Sequence, residues 1–274
     1  MSKFNLVKDQ LGEQQGKWRL SAAHMNMDDK VVLVSLRETL ISAAEDANLA
    51  LREAFALSLL DHCNIVKMYE CYFEESEAGP MFCLAFERTE YTLAMEIERR
   101  SRANLHFTEA ELMVFLDKLV CALYYAQSMR VDHRDIKPEN IFFVDNEVKL
   151  GNFQNAESHQ FLNEEVTLAG SPYYLSPELK RAYQEMLRTH TFDLKFDQSK
   201  ADVYSLGVTL LETALLRKPK VLEKLERLEE YTRDLATVLG RYPSLVDWFR
   251  YMLAVRPEER ASLKQLHGWL GRSQ

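Results

Sequence analysis

The sequence has few cysteines, no excess of positive charge and no apolar run long enough to cross a membrane. Its four cysteines show no CxxC spacing and lie within apolar runs, which predicts buried, reduced thiols rather than a disulfide framework or a zinc site. Lys and Arg number 34 against 42 Asp and Glu, a net charge of -8. Because no basic cluster is present, this charge argues against a nucleic-acid or anionic-membrane partner. The longest apolar stretch, residues 203–216, carries Glu212 and is shorter than the roughly 20 residues of a membrane span.

The rest of the composition is that of a globular protein. Hydrophobic residues make up 47% of the 274 residues, which is enough to bury a substantial core. Residues 1–8 lack the apolar segment of a signal peptide. Together with the expected reduced thiols, these features predict an intracellular, cytoplasmic protein without a membrane partner.

Short β-type runs dominate the first 86 residues, and helical periodicity dominates the rest. One helix is predicted within the first part, with a capping signal at Ser42 and an end near Leu60. A capping box formed by Thr108 and Glu111 predicts a second, longer helix. Residues 145–146, Asp-Asn, separate two apolar runs as a hairpin turn would. The pattern therefore predicts a small strand-rich lobe followed by a larger helical lobe.

One short segment, residues 133–140 with the sequence HRDIKPEN, places an acid, a cation and an amide between the long helix and the hairpin. Phosphoryl transfer uses such a set: a carboxylate for the hydroxyl proton, a positive charge near the phosphate and an oxygen ligand for a metal. Here the chain resembles the eukaryotic protein kinases in their serine/threonine form. By that resemblance, Asp135 orients or deprotonates the substrate hydroxyl, Lys137 screens the γ-phosphate and Asn140 holds a metal ion.

The resemblance extends over nearly the whole chain. Segments similar to the family's regulatory helix, hinge strand, activation segment, central helix and last helix follow in family order, at residues 52–66, 82–87, 170–178, 202–207 and 256–269. The resemblance implies an α+β, bilobal protein-kinase-like fold in a single domain, residues 1–274. A small antiparallel-sheet N-lobe with one main helix, about 1–87, would be joined by a hinge, about 87–91, to a larger, mainly helical C-lobe, about 92–274.

Further roles follow from the same resemblance. Glu53 stands at the ion-pairing position of the regulatory helix, Phe86 at the gatekeeper position and Glu87 beside it at the hinge. Glu178 and Arg260 should form a structural ion pair. The implied reaction transfers the γ-phosphate of ATP to a Ser or Thr of a protein substrate, with ATP and Mg²⁺ as cofactors.

The sequence departs from the family at the Gly-rich turn that holds the ATP phosphates. Only glycine lets backbone N–H groups approach phosphates so closely, yet Gln14 stands at the second glycine position between Gly12 and Gly16. If Gly16 matches the third glycine, Trp18 replaces the family's valine and projects toward the adenine site. The indole would then narrow or block the pocket, or would rotate into core contact instead.

The next strand lacks the lysine that pairs with the nucleotide phosphates. The sequence of residues 34–37, VSLR, places Arg37 at the lysine position, whereas counting back from Glu53 places Ser35 there. An arginine could still pair with Glu53, but its planar guanidinium is not interchangeable with a compact ammonium at a fitted phosphate site. The alternative is a strand-edge charge in water.

The third departure concerns the metal. Residues 152–154, Asn-Phe-Gln, align with the family's Asp-Phe-Gly. Asn140 and Asn152 would be the metal ligands, but a neutral amide lacks the anionic charge that Mg²⁺ favours. Gln154 also removes the glycine's easy access to positive φ. The three departures place both ATP and Mg²⁺ binding in doubt.

Two functions remain compatible with the sequence. The coincident defects at three nucleotide-handling positions favour a pseudokinase that acts as a scaffold or allosteric regulator of a signalling partner. The intact Asp135, Lys137 and Asn140 instead favour a weakly active or unconventional serine/threonine protein kinase. We favour the pseudokinase, because phosphoryl transfer depends on positioning and charge stabilisation, which these defects weaken.

The activation segment suggests a regulatory hypothesis. Family members order this segment by placing a negative charge against the arginine of the catalytic loop, here Arg134. Glu164 or Glu165 could supply that charge permanently, or Thr167 could be phosphorylated. The alternative is a solvated loop without such a contact.

Overall fold

The computed structural model describes residues 4–6, 14–15, 18–27, 30–159, 169–189, 197–219, 235, 237–238 and 240–271. Several residues named above lie outside the described residues: Gly12, Gly16, Glu164, Glu165 and Thr167. The predictions made for them therefore stay predictions. Within the described ranges, a sheet comes first along the chain and helices follow.

A six-stranded antiparallel sheet forms the N-terminal part, in the order β1-β3-β4-β6-β5 with β2 paired to β3. The strands are β1 (Phe4–Leu6), β2 (Gln14–Gln15), β3 (Trp18–Met27), β4 (Lys30–Leu40), β5 (Met68–Ser76) and β6 (Gly79–Glu87). Successive side chains of a strand point to opposite faces of a sheet. On β4, Val34 and Leu36 therefore join an apolar cluster on one face, while Ser35 and Arg37 point to the other.

Helix α1 (Ala44–Ser58) covers that second face. Ala50 and Ala54 of the helix pack against Phe82 and Leu84 of β6. The predicted capping role of Ser42 is wrong. The N-cap is Ala43, and the Asp46 carboxylate accepts hydrogen bonds of 3.0 Å from the backbone N–H groups of Ser42 and Ala43, so an acidic side chain inside the first turn satisfies the donors.

The remainder is mainly helical. Its helices are α2 (Leu93–Ala103), α3 (Glu109–Ser128), α4 (Pro177–Thr189), α5 (Gln198–Leu215), α6 (Val246–Met252) and α7 (Leu263–Leu270). Its short strands are β7 (Tyr91–Thr92), β8 (Val131–Asp132), β9 (Ile141–Val144), β10 (Glu147–Leu150) and β11 (Glu157–Ser158), arranged as β10-β9-β7 and β11-β8. Helix α5 is buried along almost its whole length, and it contains residues 202–207, which resemble the family's central helix. The fold class, α+β with an antiparallel sheet and a helical C-terminal region, is confirmed.

Two local predictions in this part are also confirmed. The Thr108 hydroxyl accepts from the backbone N–H of Glu111 at 3.2 Å, and the Glu111 carboxylate accepts from the N–H of Thr108 at 2.7 Å. Asp145 and Asn146, with φ of 50° and 64°, connect β9 to β10 as a two-residue turn in the left-handed region, which Asp and Asn tolerate.

The cysteines are less buried than expected. Cys83 is buried in the sheet and Cys121 is half-buried, but Cys63 and Cys71 are exposed. Cys63 lies in the loop between α1 and β5, and Cys71 lies in β5. One face of β5 is exposed to solvent, and successive side chains of a strand point alternately to the two faces. The prediction of burial is therefore wrong for these two thiols. No helix in the described ranges is long and apolar enough to cross a membrane.

Candidate active site

A cavity of about 580 Å³ lies between the sheet and the helical part. Leu20 of β3 and Phe86 of β6 line one wall, and Phe142 of β9 with Lys137 and Asn140 lines the other. The volume and the mixture of apolar walls with a few polar groups are typical of a small-molecule site. The cleft brings together segments that are distant in the sequence and includes the HRDIKPEN segment.

The buried carboxylate of Asp202, on α5, holds the start of that segment in place. It accepts hydrogen bonds from the backbone N–H groups of His133 at 2.8 Å and Arg134 at 2.9 Å. Burial raises the pKa of Asp202, with the nearby Asp132 adding to the effect. Arg134 has a φ of 69°, an unfavourable region for a residue with a Cβ, so these two hydrogen bonds stabilise an otherwise costly backbone shape.

The imidazole of His133 connects the HRDIKPEN segment to the residues that follow β10. Its Nε2 donates to the Gly151 carbonyl at 3.0 Å and its Nδ1 accepts from the Asp135 N–H at 3.2 Å. The ring also packs edge-on against Phe153, with 4.6 Å between centroids. Complete burial lowers the pKa of His133 to about 4, so the ring is neutral at physiological pH.

This lowered pKa predicts an acid-sensitive fold. An unfolded histidine takes up a proton near pH 6.5, whereas the folded one resists protonation down to about pH 4. The contribution of His133 to the free energy of unfolding is therefore full above pH 6.5. It decreases by roughly 3 kcal/mol as the pH falls toward 4. Urea unfolding between pH 7 and pH 4 should show a shallower loss for His133→Gln than for the natural chain, whereas exposed His24→Gln should follow the natural chain.

Asp135 lies at the centre of a network of donors. Its Oδ1 accepts from the backbone N–H of Ser171 at 2.9 Å, and its Oδ2 accepts from Lys137 Nζ at 2.8 Å and Asn140 Nδ2 at 3.0 Å. Burial alone would raise the pKa of Asp135, but the hydrogen bonds and charge of Lys137, with that of Ser171, bring it below its usual value. The carboxylate is thus ionised at neutral pH. Lys137 also donates to the Ser171 hydroxyl at 2.7 Å.

Asn140 and Asn152, the two predicted metal ligands, are hydrogen-bonded to each other. Asn152 Nδ2 donates to Asn140 Oδ1 at 2.8 Å, and Asn140 Nδ2 donates to the Asp135 carbonyl at 2.7 Å. Asn152 Oδ1 is buried without a hydrogen-bond partner. Among the residues that the structure describes, no group of three His, Cys, Asp or Glu is placed to hold a metal. Both amides are neutral and the Asn140 oxygen already accepts a hydrogen bond, so the pair would offer Mg²⁺ weaker ligands than the anionic oxygens that this cation prefers.

The buried Arg37 of β4 forms an ion pair with Glu53 of α1. Ser35 lies on the same face two residues earlier, opposite Phe86 in the neighbouring strand. Of the two registers left open by the sequence, the geometry therefore favours Arg37 at the lysine position. Its guanidinium carbon lies 6.0 Å from the centre of the Phe86 ring, and its Nε is buried without a partner. The alternative of a strand-edge charge in water is wrong.

Only part of the predicted Gly-rich turn lies within the described residues. Trp18 pairs with Gln15 through the backbone, but its side chain is not described, so the prediction that it narrows or blocks the pocket stays a prediction. Leu20, two residues further along β3, lines the cleft. The Glu87 carboxylate binds Lys149 Nζ at 2.5 Å and the Lys67 N–H at 3.2 Å, so its side chain serves the contact between β6 and the helical part.

Arg134 has a partner that the sequence did not reveal. Its Nη1 donates to Glu157 Oε2 at 2.6 Å, and both side chains are largely buried. Glu157 follows the Asn152 segment and pairs through the backbone with Asp132. The surrounding sequence is polar and irregular, so it carried no signal for this contact. The contacts of Ser171 with Asp135 and Lys137 were likewise not predicted, although Ser171 lies in the segment that resembles the end of the activation segment.

Glu178 and Arg260 form the ion pair that the resemblance implied. Arg260 Nη1 lies 2.7 Å from Glu178 Oε1 and Nη2 lies 3.0 Å from Oε2. Arg260 also donates to the carbonyls of Ala254 at 3.0 Å and Lys200 at 2.7 Å, and the residue is 1% exposed. The bidentate geometry and complete burial indicate a structural role.

Comparison with known proteins agrees with this arrangement. The protein kinase domain family matches residues 7–269 of the chain. The chain is 30% identical over 233 residues to the probable serine/threonine-protein kinase nek3 of Dictyostelium discoideum, and 28% identical over 279 residues to an Aurora kinase of Schizosaccharomyces pombe. It is 27% identical over 219 residues to serine/threonine-protein kinase 10-A of Xenopus laevis. These alignments cover 79%, 97% and 77% of this chain.

The chain spans only part of the same relatives, covering 19%, 72% and 22% of their respective lengths. The family match nevertheless includes the sheet, the cleft and the helical part. The resemblance inferred from the HRDIKPEN segment is therefore confirmed, and the chain belongs to the protein kinase domain family.

Proposed function

We propose that this domain is a catalytically impaired pseudokinase that acts as a scaffold or allosteric regulator of a protein partner in signalling. The observation that carries the proposal is the 2.8 Å hydrogen bond from Asn152 Nδ2 to Asn140 Oδ1. The acceptor, Asn140 Oδ1, is one of the oxygens that a metal ion would need. The donor, Asn152, stands where the family has an aspartate, which is an anionic ligand. A nucleotide that reached the cleft would therefore find weak support for Mg²⁺.

The Arg37–Glu53 pair supports the same proposal. The guanidinium pairs with Glu53 and lies near the Phe86 ring, and these three residues line the cleft at the place where a family member presents a compact ammonium. Arginine and lysine are not interchangeable at such a site. The pair still fixes α1 against the sheet, which is a requirement of a binding module as much as of an enzyme.

A weakly active serine/threonine kinase is the second candidate, and the Asp135 network favours it. The Asp135 carboxylate, the Lys137 ammonium and Ser171 are joined by hydrogen bonds, and an ionised, positioned carboxylate of this kind is what a substrate hydroxyl would need. If the altered lysine and the altered metal ligand each cost on the order of 10²-fold, the combined loss is ~10⁴-fold. A turnover of about 1–100 s⁻¹ would then fall to roughly 10⁻⁴–10⁻² s⁻¹.

Thermal unfolding of the purified chain distinguishes the two candidates. The chain is heated with millimolar ATP or ADP, each with Mg²⁺ and with EDTA, because a ligand of the native state raises its stability by mass action. For a pseudokinase we expect no shift that requires Mg²⁺. A phosphotransfer assay accompanies it, with Asp135→Asn as the control. Turnover that requires Mg²⁺ and disappears in Asp135→Asn would contradict the proposal and establish the weak kinase.

A further inference from the structure

Charged side chains collect around the short sheet of β8 and β11, outside the cleft. Asp132, Glu157, Asp202 and Arg134 are all largely buried there. His159, which directly follows β11, completes the cluster, and its side chain is half-exposed. None of these five side chains lines the cleft described above.

The residue His159 joins β11 to β8 twice. Its imidazole Nε2 donates to the Asp132 carboxylate at 2.6 Å, and its backbone N–H donates to the carbonyl of Arg130, whose own side chain is exposed, at 2.9 Å. The ladder between the two strands has only two residue pairs. Because two short strands alone are marginally stable in water, the side-chain contact contributes a large share of what holds β11 in place.

A proton on His159 changes the charge balance of this cluster. With the imidazole protonated, His159 and Arg134 supply two positive charges to three carboxyl groups. Arg134 already pairs with Glu157 at 2.6 Å, whereas the His159 imidazole lies against Asp132. Loss of the imidazole proton removes one of the two positive charges while the carboxyl groups remain. The contact between β11 and β8 is therefore strongest when His159 is charged.

The imidazole of His159 titrates near neutral pH. An unperturbed histidine has a pKa of about 6.5. The hydrogen bond to Asp132 raises the pKa of His159 above that value; partial burial opposes the rise, the charges of Asp132 and Glu157 support it, and the charge of Arg134 opposes it. The charge of His159 consequently changes within the pH range in which proteins work.

Three helices pack against the two strands, α3 and α5 against β8 and α1 against β11. Helix α5 contributes Asp202, whose pKa is raised by burial and by the nearby Asp132, so its carboxyl group also responds to pH. Residues 119–128 of α3 contain no Asp, Glu, Lys, Arg or His. The second half of α1 carries Arg52 and Glu53, and Glu53 pairs with Arg37. Asp202 is thus the second group whose titration an experiment has to separate from that of His159.

We propose that His159 and Asp132 form a pH-sensitive latch, which holds β11 on β8 while the imidazole is protonated and loosens when the imidazole is neutral. The neutral ring keeps its Nε2 proton and still donates to Asp132, but the hydrogen bond loses the charge of its donor. His159 directly precedes residues 160–168, which lead to the segment that resembles the end of the activation segment. The latch works alike in a pseudokinase and in a weak kinase, because neither of its side chains lines the cleft.

The pH dependence of the latch has a defined sign. A group whose pKa is raised by folding contributes stability at low pH, and this contribution is lost as the pH rises through the folded pKa. The latch therefore weakens toward alkaline pH. The effect of His133 is the opposite, because protonation of that buried ring destabilises the fold in acid.

Amide hydrogen exchange of the full chain, followed by NMR at pH 6 and pH 8, tests the latch. Each exchange rate is compared with that of an unfolded peptide at the same pH, which gives the protection due to structure. We expect protection of the His159 N–H to fall about two- to fivefold from pH 6 to pH 8, the range of a partly exposed ion pair. The N–H of Leu150, which donates to the Asn64 carbonyl at 2.8 Å, should show no such change.

Substitutions at position 159 set the charge independently of pH. His159→Gln keeps a donor without a charge and should give low protection at both pH values, whereas His159→Lys keeps the charge and should give high protection at both. Asp132→Asn should lower the pKa of the His159 ring, measured by NMR titration. His24→Gln, at an exposed histidine of β3, should behave like the natural chain.

Three results would each overturn the proposal. The first is a His159 ring pKa of 6.5 or below in the natural chain. The second is protection of the His159 N–H that does not depend on pH. The third is a pH dependence that persists in His159→Gln, which would assign the titration to Asp202 instead.

Discussion

Asn152→Asp is expected to create Mg²⁺-dependent nucleotide binding and to raise ATP turnover on the order of 10²-fold. A carboxylate cannot donate to Asn140 Oδ1, so the hydrogen bond of 2.8 Å between the two side chains would be lost. Both the new anionic oxygens and Asn140 Oδ1 would then be available to the cation. The φ of 61° at position 152 suits aspartate as well as asparagine, so the backbone need not change.

ATP hydrolysis and thermal unfolding, each with Mg²⁺ and with EDTA, measure this effect without knowledge of a protein substrate. Asn155→Asp is the matched control, because it makes the same charge change three residues later, at the end of the short helix that follows Asn152. It should leave both measurements unchanged. Adding Asp135→Asn to Asn152→Asp should remove the turnover and keep the Mg²⁺-dependent shift. If Asn152→Asp gained no Mg²⁺ dependence, the hydrogen bond between Asn152 and Asn140 would not be what limits metal binding, and the argument for a pseudokinase from this contact would be wrong.

Arg260→Met should lower the free energy of unfolding by about 3–5 kcal/mol, because it leaves the Glu178 carboxylate without its buried partner. The methionine also cannot donate to the carbonyls of Ala254 and Lys200, which Arg260 now satisfies. A denaturant titration at neutral pH measures the loss. The ion pair connects the start of α4 to the segment before α7, so helical content and compactness should decrease in one transition.

The neighbouring Arg256 provides the matched control. It pairs with Glu259 on the surface, where its side chain is 67% exposed. Surface ion pairs contribute little because water screens them, so Arg256→Met should change stability by less than about 0.5 kcal/mol. The double variant Glu178→Gln with Arg260→Met should recover part of the loss by removing the unpaired charge. A single variant Arg260→Met as stable as Arg256→Met would show that the buried pair has no structural role.

Local signals predicted the elements that depend on neighbouring residues. The Thr108 capping box and the 145–146 turn were predictable because each satisfies its backbone groups within four residues. The start of α1 was predicted wrongly, since either a serine at the N-cap or an aspartate inside the first turn can satisfy the same donors. Only the folded geometry shows that Asp46 performs this role.

The candidate site was predictable where its residues are contiguous and not where they are brought together by folding. Asp135, Lys137 and Asn140 lie within six residues and form one network. Glu157 and Ser171 reach that loop from 23 and 36 residues away, and no pattern in the sequence encodes such a distance. The choice between Ser35 and Arg37 was open for a related reason: counting residues from Glu53 ignores the turn that separates β4 from α1.

The Arg134–Glu157 contact has a consequence for how this domain can be controlled. A phosphate that pairs with an arginine can be added by one enzyme and removed by another. The protein can therefore alternate between two conformations. Glu157 is part of the polypeptide and is present from translation onward. The charge that Glu157 places on this side of Arg134 is therefore permanent, so adding or removing a phosphate elsewhere cannot create or abolish this particular ion pair.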